Sequence, residues 1–243
     1  MLTARLGVWQ LDRAAQKDAL QAEVQARSLL PPVTLPDLAS GQQEAAAQHH
    51  RLASLRGHWM PETTVFLDNR PMGGRAGFFV LTPLKLEDGT AVLVQRGWQP
   101  RDVRDRTLTQ PVPGSADQAV QVRGRLAPPP SRLLEFEPSS GGPIRQNLEL
   151  DAYAAEIRQR LRPVLMVQLE PALLCAPPPS DGAACSEVLA DGLLREWTMF
   201  GSTADKNRGY AAQWFSLSAL VLGLYVWFQW IKPWRTRRKG HTA

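Results

Sequence analysis

GFFVLTPLKLEDGTAVLVQR, residues 77–96, is the stretch that decides the fold. Two runs rich in Val, Phe, Leu and Thr flank the sequence Glu87-Asp88-Gly89. Runs of this composition favour β-strands, and an Asp-Gly pair tolerates the positive φ that a tight hairpin needs. The stretch therefore predicts a β-hairpin at the centre of the chain.

Short runs of similar composition, bounded by Gly, Pro, Asn and Asp, lie on both sides of the hairpin and predict further strands. The predicted strands are 50–55, 64–67, 77–82, 90–96, 120–126, 163–169 and 192–197, and one helix is predicted at 149–161. Consecutive short strands joined by turns favour an antiparallel sheet or a small barrel. We therefore predict an α+β fold with an antiparallel, β-rich soluble domain over residues 29–205, which begins with the proline linker LLPPVTLP.

The C-terminal region carries the strongest hydrophobic signal. Residues 211–231 contain no formal charge, and at about 1.5 Å per residue they are long enough to cross the hydrocarbon core of a bilayer. Tryptophans mark both ends of this run, as is typical of aromatic anchors at the headgroup boundary. They are Trp214 at one end and Trp227, Trp230 and Trp234 at the other, and Pro233 is expected to end the helix. The run predicts a transmembrane helix anchored in the lipid bilayer.

The net charge of +5 is confined to the tail that follows this helix. Residues 232–243 hold five basic residues and no acidic residue, so residues 1–231 are formally neutral. A neutral body offers no face that could follow nucleic-acid phosphates, which excludes a nucleic-acid partner. By the positive-inside rule the tail is cytoplasmic, and the β-rich domain faces the periplasm.

A periplasmic domain requires an N-terminal hydrophobic segment for export. Residues 1–28 instead form a modest amphipathic pattern without an apolar run, which predicts a helix that does not span the membrane. We therefore expect that an N-terminal anchor helix is missing ahead of residue 1. The alternative is a genuine short form whose export is unexplained.

Motifs for catalysis and metal binding are weak. His49 and His50 point to opposite faces of a predicted strand, so they and nearby His58 are interpreted as surface or strand-end residues rather than metal ligands. Cys175 and Cys185 do not form a CxxC motif; either a disulfide or two free thiols is compatible with them. No hydrolase, metalloprotease or phosphate-loop motif is present, and we predict that the protein is not an enzyme and holds no metal.

Three blocks of unusual residues remain. Gly7, Trp9, Gln10 and Arg13 lie near the start, and a central block extends from Asp68 to Pro100. The third block, Tyr210 with Gln213-Trp214-Phe215, opens the apolar helix. In this order the blocks closely resemble the Surfeit locus 1 family of cytochrome c oxidase assembly factors, and the chain looks like a bacterial member. The central block contributes Asn69, Arg70, Gly77, Pro83, Arg96, Gly97, Trp98 and Pro100 to the motif.

The resemblance implies a β-rich domain outside the inner membrane, held by membrane helices. It implies maturation of the haem–copper core subunit of cytochrome c oxidase, together with other assembly factors. Bacterial relatives are associated with haem a, so the resemblance also implies a transient haem a cofactor. The alternative is a periplasmic interaction scaffold that works without haem.

One departure from the family concerns the haem ligand. Many relatives carry a histidine three residues before the tyrosine that opens the last helix, and here that position is Asn207. An asparagine amide is a poor ligand for haem iron compared with imidazole. We therefore expect haem to be contacted rather than ligated here. The candidate contacts are Arg208, Tyr210, Trp214 and Phe215.

The other motif residues have both a binding and a structural interpretation. Arg70 and Arg96 could meet haem propionates or the oxidase, because a guanidinium pairs with carboxylates in a bidentate manner. At strand ends they could equally cap backbone carbonyls, and this structural role is favoured. Trp98 could stack on haem, but it is interpreted as a core or rim aromatic residue. Arg13 and Lys17 are interpreted as anchors at the membrane interface.

Overall fold

The computed structural model describes residues 2–105, 107–130, 142–176, 185–197 and 204–232. The chain divides into two compact units. The first consists of Met1–Gln25 together with Thr198–Ala243, and it is built on two long helices. The second is Ala26–Trp197 and contains the strands of the described residues. The expected tail residues 233–243 and the prolines at 177–179 lie outside the described residues.

The second unit confirms the α+β fold and contains a closed barrel. Its strands are β1 Leu52–Trp59, β2 Val65–Leu67, β3 Gly77–Leu86, β4 Ala91–Pro100, β5 Ala119–Ala127, β6 Ile144–Arg145, β7 Leu161–Gln168, β8 Leu173–Cys175 and β9 Cys185–Val188. Five of them close on themselves in the order β1-β3-β4-β7-β5, because β1 pairs with both β3 and β5. Strands β2 and β6 extend the sheet beyond β3, and β8 and β9 extend it beyond β5.

The central hairpin is confirmed. Strands β3 and β4 are antiparallel from Gly77 opposite Pro100 to Lys85 opposite Ala91. The Asp88 carboxylate accepts hydrogen bonds from the backbone N–H and the hydroxyl of Thr90, and Gly89 has φ +79°. Only glycine adopts this φ without strain, so the turn chemistry fixes the register of the hairpin.

Two sets of apolar side chains cover the two faces of the barrel strands. The inward set includes Leu55, Val94, Val122 and Met166, and it fills the barrel. The outward set lies on β3, β4 and β7, where Leu81, Leu93 and Leu165 pack against β2 and the short helix α3, Leu150–Glu156. The barrel therefore buries its β3, β4 and β7 walls on both faces.

Two parallel pairings correct the prediction of an antiparallel sheet. Strand β4 pairs with β7 in parallel, and β2 pairs with β6 in parallel. The connections explain the difference, because β7 follows helix α3, Leu150–Glu156, which carries the chain back across the barrel. A parallel neighbour requires such a crossover and cannot be formed by a tight hairpin.

Two predicted boundaries are wrong for local backbone reasons. The first strand begins at Leu52 rather than at residue 50, because His50 adopts φ +70°. The helix predicted at 149–161 stops at Glu156, since Arg158 has φ +53° and β7 begins three residues later. A left-handed residue interrupts both helix and strand geometry.

The strand predicted at 192–197 is a single bridge between Leu194 and Trp98. Asp191 forms an ion pair with Arg195, four residues away. An extended strand would separate these two residues by about 13 Å. The segment therefore curls back on itself instead of forming a strand.

Several short elements were not predicted. Val33 in the proline linker pairs with Ala53, and Gln42–Gln48 forms helix α2. Strands β6, β8 and β9 contain two to four residues each, too few for a periodic pattern to be visible. A disulfide joins Cys175 in β8 to Cys185 in β9, which decides between the two alternatives for these cysteines.

The first unit consists of two antiparallel helices, α1 Leu2–Ser28 and α4 Ala204–Val226. Helix α4 continues as a π-helical turn, Trp227–Ile231. The 28-residue span Ala204–Ile231 is the one helix among the described residues that is long and apolar enough to cross a membrane, and its side chains are almost entirely exposed. It contains the predicted span 211–231.

The predicted N-terminal helix is confirmed. The expected anchor helix ahead of residue 1 stays a prediction, because the 27-residue helix at this end of the chain is the one predicted over residues 1–28. The predicted helix over 1–28 is present as α1, which is more polar than α4. Its amphipathic pattern reflects packing on α4, where Gly7 and Ala14 are buried.

Candidate functional site

The candidate haem contacts lie on α4, in the first unit. Tyr210 is 54% exposed and Phe215 is 38% exposed, while Trp214 is partly buried. A Cβ atom on Gly7 would approach the Phe215 ring at 2.8 Å, so the glycine allows the two helices to meet closely. The structure therefore gathers Tyr210, Trp214 and Phe215 on one short segment of α4 beside the N-terminal motif.

Asn207 is held by two side chains of α1. Its amide oxygen accepts a hydrogen bond from Lys17 Nζ at 2.6 Å, and its amide nitrogen donates to Gln10. Both ends of the amide are therefore engaged between the helices. We call Gln10, Lys17 and Asn207 the amide clasp. The motif residue Gln10 thus acquires a structural role that its sequence position did not reveal.

Arg208 lies beside the amide clasp and forms two ion pairs. Its guanidinium contacts Asp18 of α1 at 2.5 Å and Asp205 of α4 at 2.7 Å. Arg13 lies one turn from Lys17 and donates to Gln16 at 3.4 Å, and the motif residue Trp9 is exposed. The Arg208 guanidinium is therefore already shared by two carboxylates within the helix pair.

Position 207 does not fit an axial haem ligand. The amide is a poor donor to iron, and its oxygen is occupied by Lys17. Residues 2–25 and 204–232, the described part of the helix pair, contain no His, Cys or Met. The exposed aromatic residues of α4 fit a contact with an apolar macrocycle, but they offer no strong ligand other than a tyrosine.

The central motif residues build a second site, inside the β-barrel unit. Arg96 is fully buried at a β-bulge in β4, where Val80 pairs with Gly97 and Leu81 pairs with Gln95. A bulge redirects the side chain of the extra residue. The guanidinium lies 4.2 Å from the centre of the Trp59 ring and donates to Pro113 O at 2.5 Å.

Asp191 neutralises part of the charge around Arg96. Its carboxylate lies 3.7 Å from Arg96 Nη2 and also binds Arg195. One buried carboxylate therefore serves two buried guanidinium groups. Burial lowers the pKa of Arg96 to about 10, and Asp191 partly opposes this change. Asp191 was missed by the sequence analysis, because nothing local to it indicates a partner 95 residues away.

Trp98 is fully buried next to this cluster. Its indole Nε1 donates to Arg70 O at 2.7 Å, and its backbone forms two hydrogen bonds with Leu194. Arg70 is also buried, donates to Gln146 O at 3.2 Å, and has its pKa lowered by burial. These contacts agree with the structural interpretation of both residues.

The remaining residues of the central motif lie in β3, in β4 and in the turn before β3. A Cβ on Gly77 would lie 2.3 Å from Gln99 O and from the Trp98 ring, and one on Gly97 would lie 2.5 Å from Leu193 Cβ. Asn69 adopts φ +59° in the turn before β3. Pro83 and Pro100 lie in β3 and β4 at the predicted hairpin. The structure therefore places the central motif mostly in packing and turn positions.

The histidines do not form a metal site in the described part of the chain. His49 and His50 lie with ring centres 6.4 Å apart, and His58 is exposed on β1. The described residues contain no group of three or more His, Cys, Asp or Glu side chains arranged to hold a metal ion.

A family model for the SURF1 family matches residues 1–219. The chain belongs to the SURF1 family. It is 28% identical over 224 residues to a SURF1-like protein of Rickettsia felis, covering 91% of this chain and 89% of that protein. It is 31% identical over 94 residues to the cytochrome oxidase assembly protein SHY1 of Saccharomyces cerevisiae, covering 38% of this chain and 24% of that protein.

A third relative, an uncharacterized SURF1-like protein of Mycobacterium bovis, is 30% identical over 139 residues, which cover 56% of this chain and 48% of that protein. The family match extends from the N-terminal helix to α4. It therefore includes the amide clasp and the buried arginine cluster, and it confirms the resemblance inferred from the three sequence blocks.

Proposed function

We propose that this SURF1 family member is a membrane-anchored assembly factor for cytochrome c oxidase. It assists haem a insertion or stabilises the nascent haem–copper core subunit. The observation that carries the proposal is the family match over residues 1–219. The name of the yeast relative, a cytochrome oxidase assembly protein, supports the same process. The fold provides a rigid barrel and an apolar anchor helix, which suit a binding protein rather than a catalyst.

This proposal is tested by co-isolation. The full chain carries an affinity tag and is purified from membranes in mild detergent during induction of the oxidase. The newly made core subunit should be enriched with it, and unrelated inner-membrane proteins should not be. Absence of the core subunit under conditions where it is being synthesised would contradict direct assistance.

The proposed location is the bacterial inner membrane, with the β-barrel unit in the periplasm and the basic tail in the cytoplasm. The support is the apolar span Ala204–Ile231 followed by a tail with five basic residues and no acid. A reporter that is active only in the periplasm should be silent when fused after Ala243. The same reporter inserted between the exposed residues Asp102 and Val103 should be active. The reverse pattern would show that the orientation is wrong.

In this proposal haem a is contacted by the aromatic residues of α4. It is not ligated by histidine there, since the described helix pair contains no imidazole. Bound haem would contribute its own redox and ligand chemistry, and the chain would contribute only an apolar surface. Tyr210 and Phe215 are accessible for such a contact. Arg208 is held by Asp18 and Asp205, so it would have to leave these ion pairs to meet a propionate.

Asn207→His should increase haem retention, because it restores an imidazole at the family position. We expect a stronger and altered Soret band in protein purified from cells that make haem a. Asn207→Ala should leave the Soret band unchanged while it removes the two hydrogen bonds of the amide clasp. Strong haem loss in the alanine variant would show that Asn207 binds the group directly.

A haem-independent periplasmic scaffold is the second candidate function. It is favoured by the amide clasp and by the two ion pairs of Arg208, which leave these polar groups committed to holding α1 against α4. If neither the wild type nor the Asn207→His variant retains haem while the oxidase assembles normally, the scaffold function is the correct one.

A further inference from the structure

The buried cluster of Arg96, Asp191 and Arg195 carries more positive than negative charge. Its two guanidinium groups share one carboxylate, and the Arg96, Arg195 and Asp191 side chains are only 1%, 9% and 2% exposed. Burial lowers the pKa of Arg96 to about 10, so this group stays protonated at neutral pH. Among the described residues, the charged groups that act on it are Asp191, which favours its charge, and Arg195, which opposes it. The cluster therefore holds one net positive charge away from water.

Arg96 is also short of hydrogen-bond acceptors. A guanidinium group has five N–H donors. Arg96 donates through Nη2 to Pro113 O, and the same nitrogen lies 3.7 Å from the Asp191 carboxylate, which is beyond ordinary hydrogen-bond length. Within the described part of the chain, its Nε and Nη1 are buried and have no acceptor. Three of the five N–H donors of Arg96 are therefore left unsatisfied.

Two neighbouring side chains have the same deficit. Trp59 Nε1 belongs to the ring whose centre lies 4.2 Å from Arg96 Cζ, and this N–H is buried without an acceptor among the described residues. Arg195 binds Asp191 through Nη2 and Leu193 O through Nη1, while its buried Nε likewise has no acceptor there. All of these unsatisfied atoms are donors. Because buried donors are normally paired, the cluster requires an acceptor beyond those that the described side chains and backbone supply.

The backbone at Pro113 and Gly114 shows that the Arg96 and Trp59 donors lie close together. Pro113 O accepts a hydrogen bond from Arg96. A Cβ atom on Gly114 would lie 3.3 Å from Arg96 Nη1 and 2.8 Å from Trp59 Cδ1, the ring carbon bonded to Nε1. One point on the backbone is thus close to both side chains. The unsatisfied donors of Arg96 and Trp59 therefore border the same small region of the core.

We infer that this cluster binds a small inorganic anion, chloride, which accepts hydrogen bonds from Arg96 and Trp59 and offsets the unpaired charge. The donors and the net charge select an anion. A water molecule accepts hydrogen bonds but leaves the charge in place, and an uncompensated buried charge is strongly unfavourable. Burial selects a small ion, because Trp59 and Arg96 are fully buried and a carboxylate of a partner protein or a lipid phosphate cannot reach them.

The inference goes beyond the proposed function, since it requires neither haem nor an oxidase subunit. It is tested with the full chain in detergent, by measuring the thermal unfolding midpoint while sodium chloride replaces sodium gluconate at constant ionic strength. As chloride rises from about 1 mM to about 100 mM, the midpoint should rise by about 2–4 °C, because a ligand that binds only the folded state stabilises it. Bromide should act in the same way. Equal midpoints in chloride and gluconate would contradict the inference.

Matched variants locate the site. Arg96→Met removes the donors and the unpaired charge, so its midpoint should not depend on chloride. The control Arg104→Met removes an exposed arginine and should keep the chloride dependence of the wild type. Asp191→Asn keeps the size of the side chain and removes the competing negative charge. It should therefore lower the chloride concentration that gives half of the midpoint shift by at least about fivefold. A purely structural role of Asp191 would lower the midpoint without changing this concentration.

Bromide locates the ion in the wild type without any substitution. Crystals of the full chain grown in sodium bromide should show anomalous density beside Arg96 Nη1 and Trp59 Nε1. Bromide density confined to exposed arginines would overturn the inference and show adventitious surface binding only. The inference is equally wrong if Arg96→Met folds and keeps the chloride dependence of the wild type, or if Asp191→Asn responds to the same chloride concentrations as the wild type.

Discussion

Asp191→Ala should lower the free energy of unfolding of the β-barrel unit by about 3–5 kcal/mol, because it leaves two buried guanidinium groups without their shared carboxylate. Asp191 has a side chain that is only 2% exposed, and it contacts both Arg96 and Arg195. The Arg96 and Arg195 side chains are only 1% and 9% exposed, so water solvates neither cation well once the carboxylate is removed. Thermal or denaturant unfolding of the full chain in detergent measures the effect.

Because one carboxylate pairs with two guanidinium groups, removing the carboxylate should cost more stability than removing one guanidinium group. Arg96→Met should cost less than Asp191→Ala, because Asp191 keeps its contact with Arg195 and an unfavourably buried cation is removed. Asp117→Ala, at an exposed position, should change stability by no more than about 0.5 kcal/mol. If Arg96→Met were more damaging than Asp191→Ala, the carboxylate would not be the centre of the cluster.

Trp98→Ala should also be among the most destabilising single changes, at about 3–5 kcal/mol. The ring is fully buried, and its Nε1 is hydrogen-bonded to Arg70 O. Trp98→Phe retains most of the packing and loses this hydrogen bond, so it should cost a smaller amount. Val103→Ala serves as the exposed control in the same domain. The measurement is the unfolding midpoint of each variant.

The Trp98 variants show whether this side chain packs in the core or binds haem. If Trp98 is a core residue, Trp98→Phe should fold and show the same haem absorption as the wild type. A fully stable Trp98→Ala variant that loses haem would contradict the core assignment. Trp98 would then be assigned to haem binding, the alternative that the motif alone allows.

The central hairpin could be predicted because its determinants are local. Asp88 and Gly89 define the turn, and apolar β-formers on either side define the strands. The apolar helix was equally predictable, since an uncharged run flanked by tryptophans needs no tertiary context. The family could be inferred because its motif residues occur in a fixed order along the chain.

The details that depend on long-range contacts could not be predicted. No pattern in the sequence joins Arg96 to Asp191, or Asn207 to Lys17 and Gln10. The parallel pairing of β4 with β7 is likewise set by the crossover through α3. Local rules also failed where a non-glycine residue adopts a left-handed conformation, as His50 does at the start of β1.

The motif residues of the two units have different roles in the proposed function. The central motif residues mainly maintain the barrel, since Arg96 and Trp98 are fully buried and Gly77 accommodates the Trp98 ring. The residues of α1 and α4 maintain a helix pair beside an exposed aromatic surface. Substitutions in the barrel should therefore act through folding, whereas those on the α4 surface should affect haem or the oxidase directly.

The most direct test of the central claim is the oxidase content of membranes from cells that lack this chain. We predict that the haem a absorption band and the cytochrome c oxidation rate both fall severalfold. The wild-type chain should restore them, and the destabilised Asp191→Ala variant should not. Membranes with normal haem a absorption and normal oxidase activity in the absence of the chain would contradict its assignment as an oxidase assembly factor.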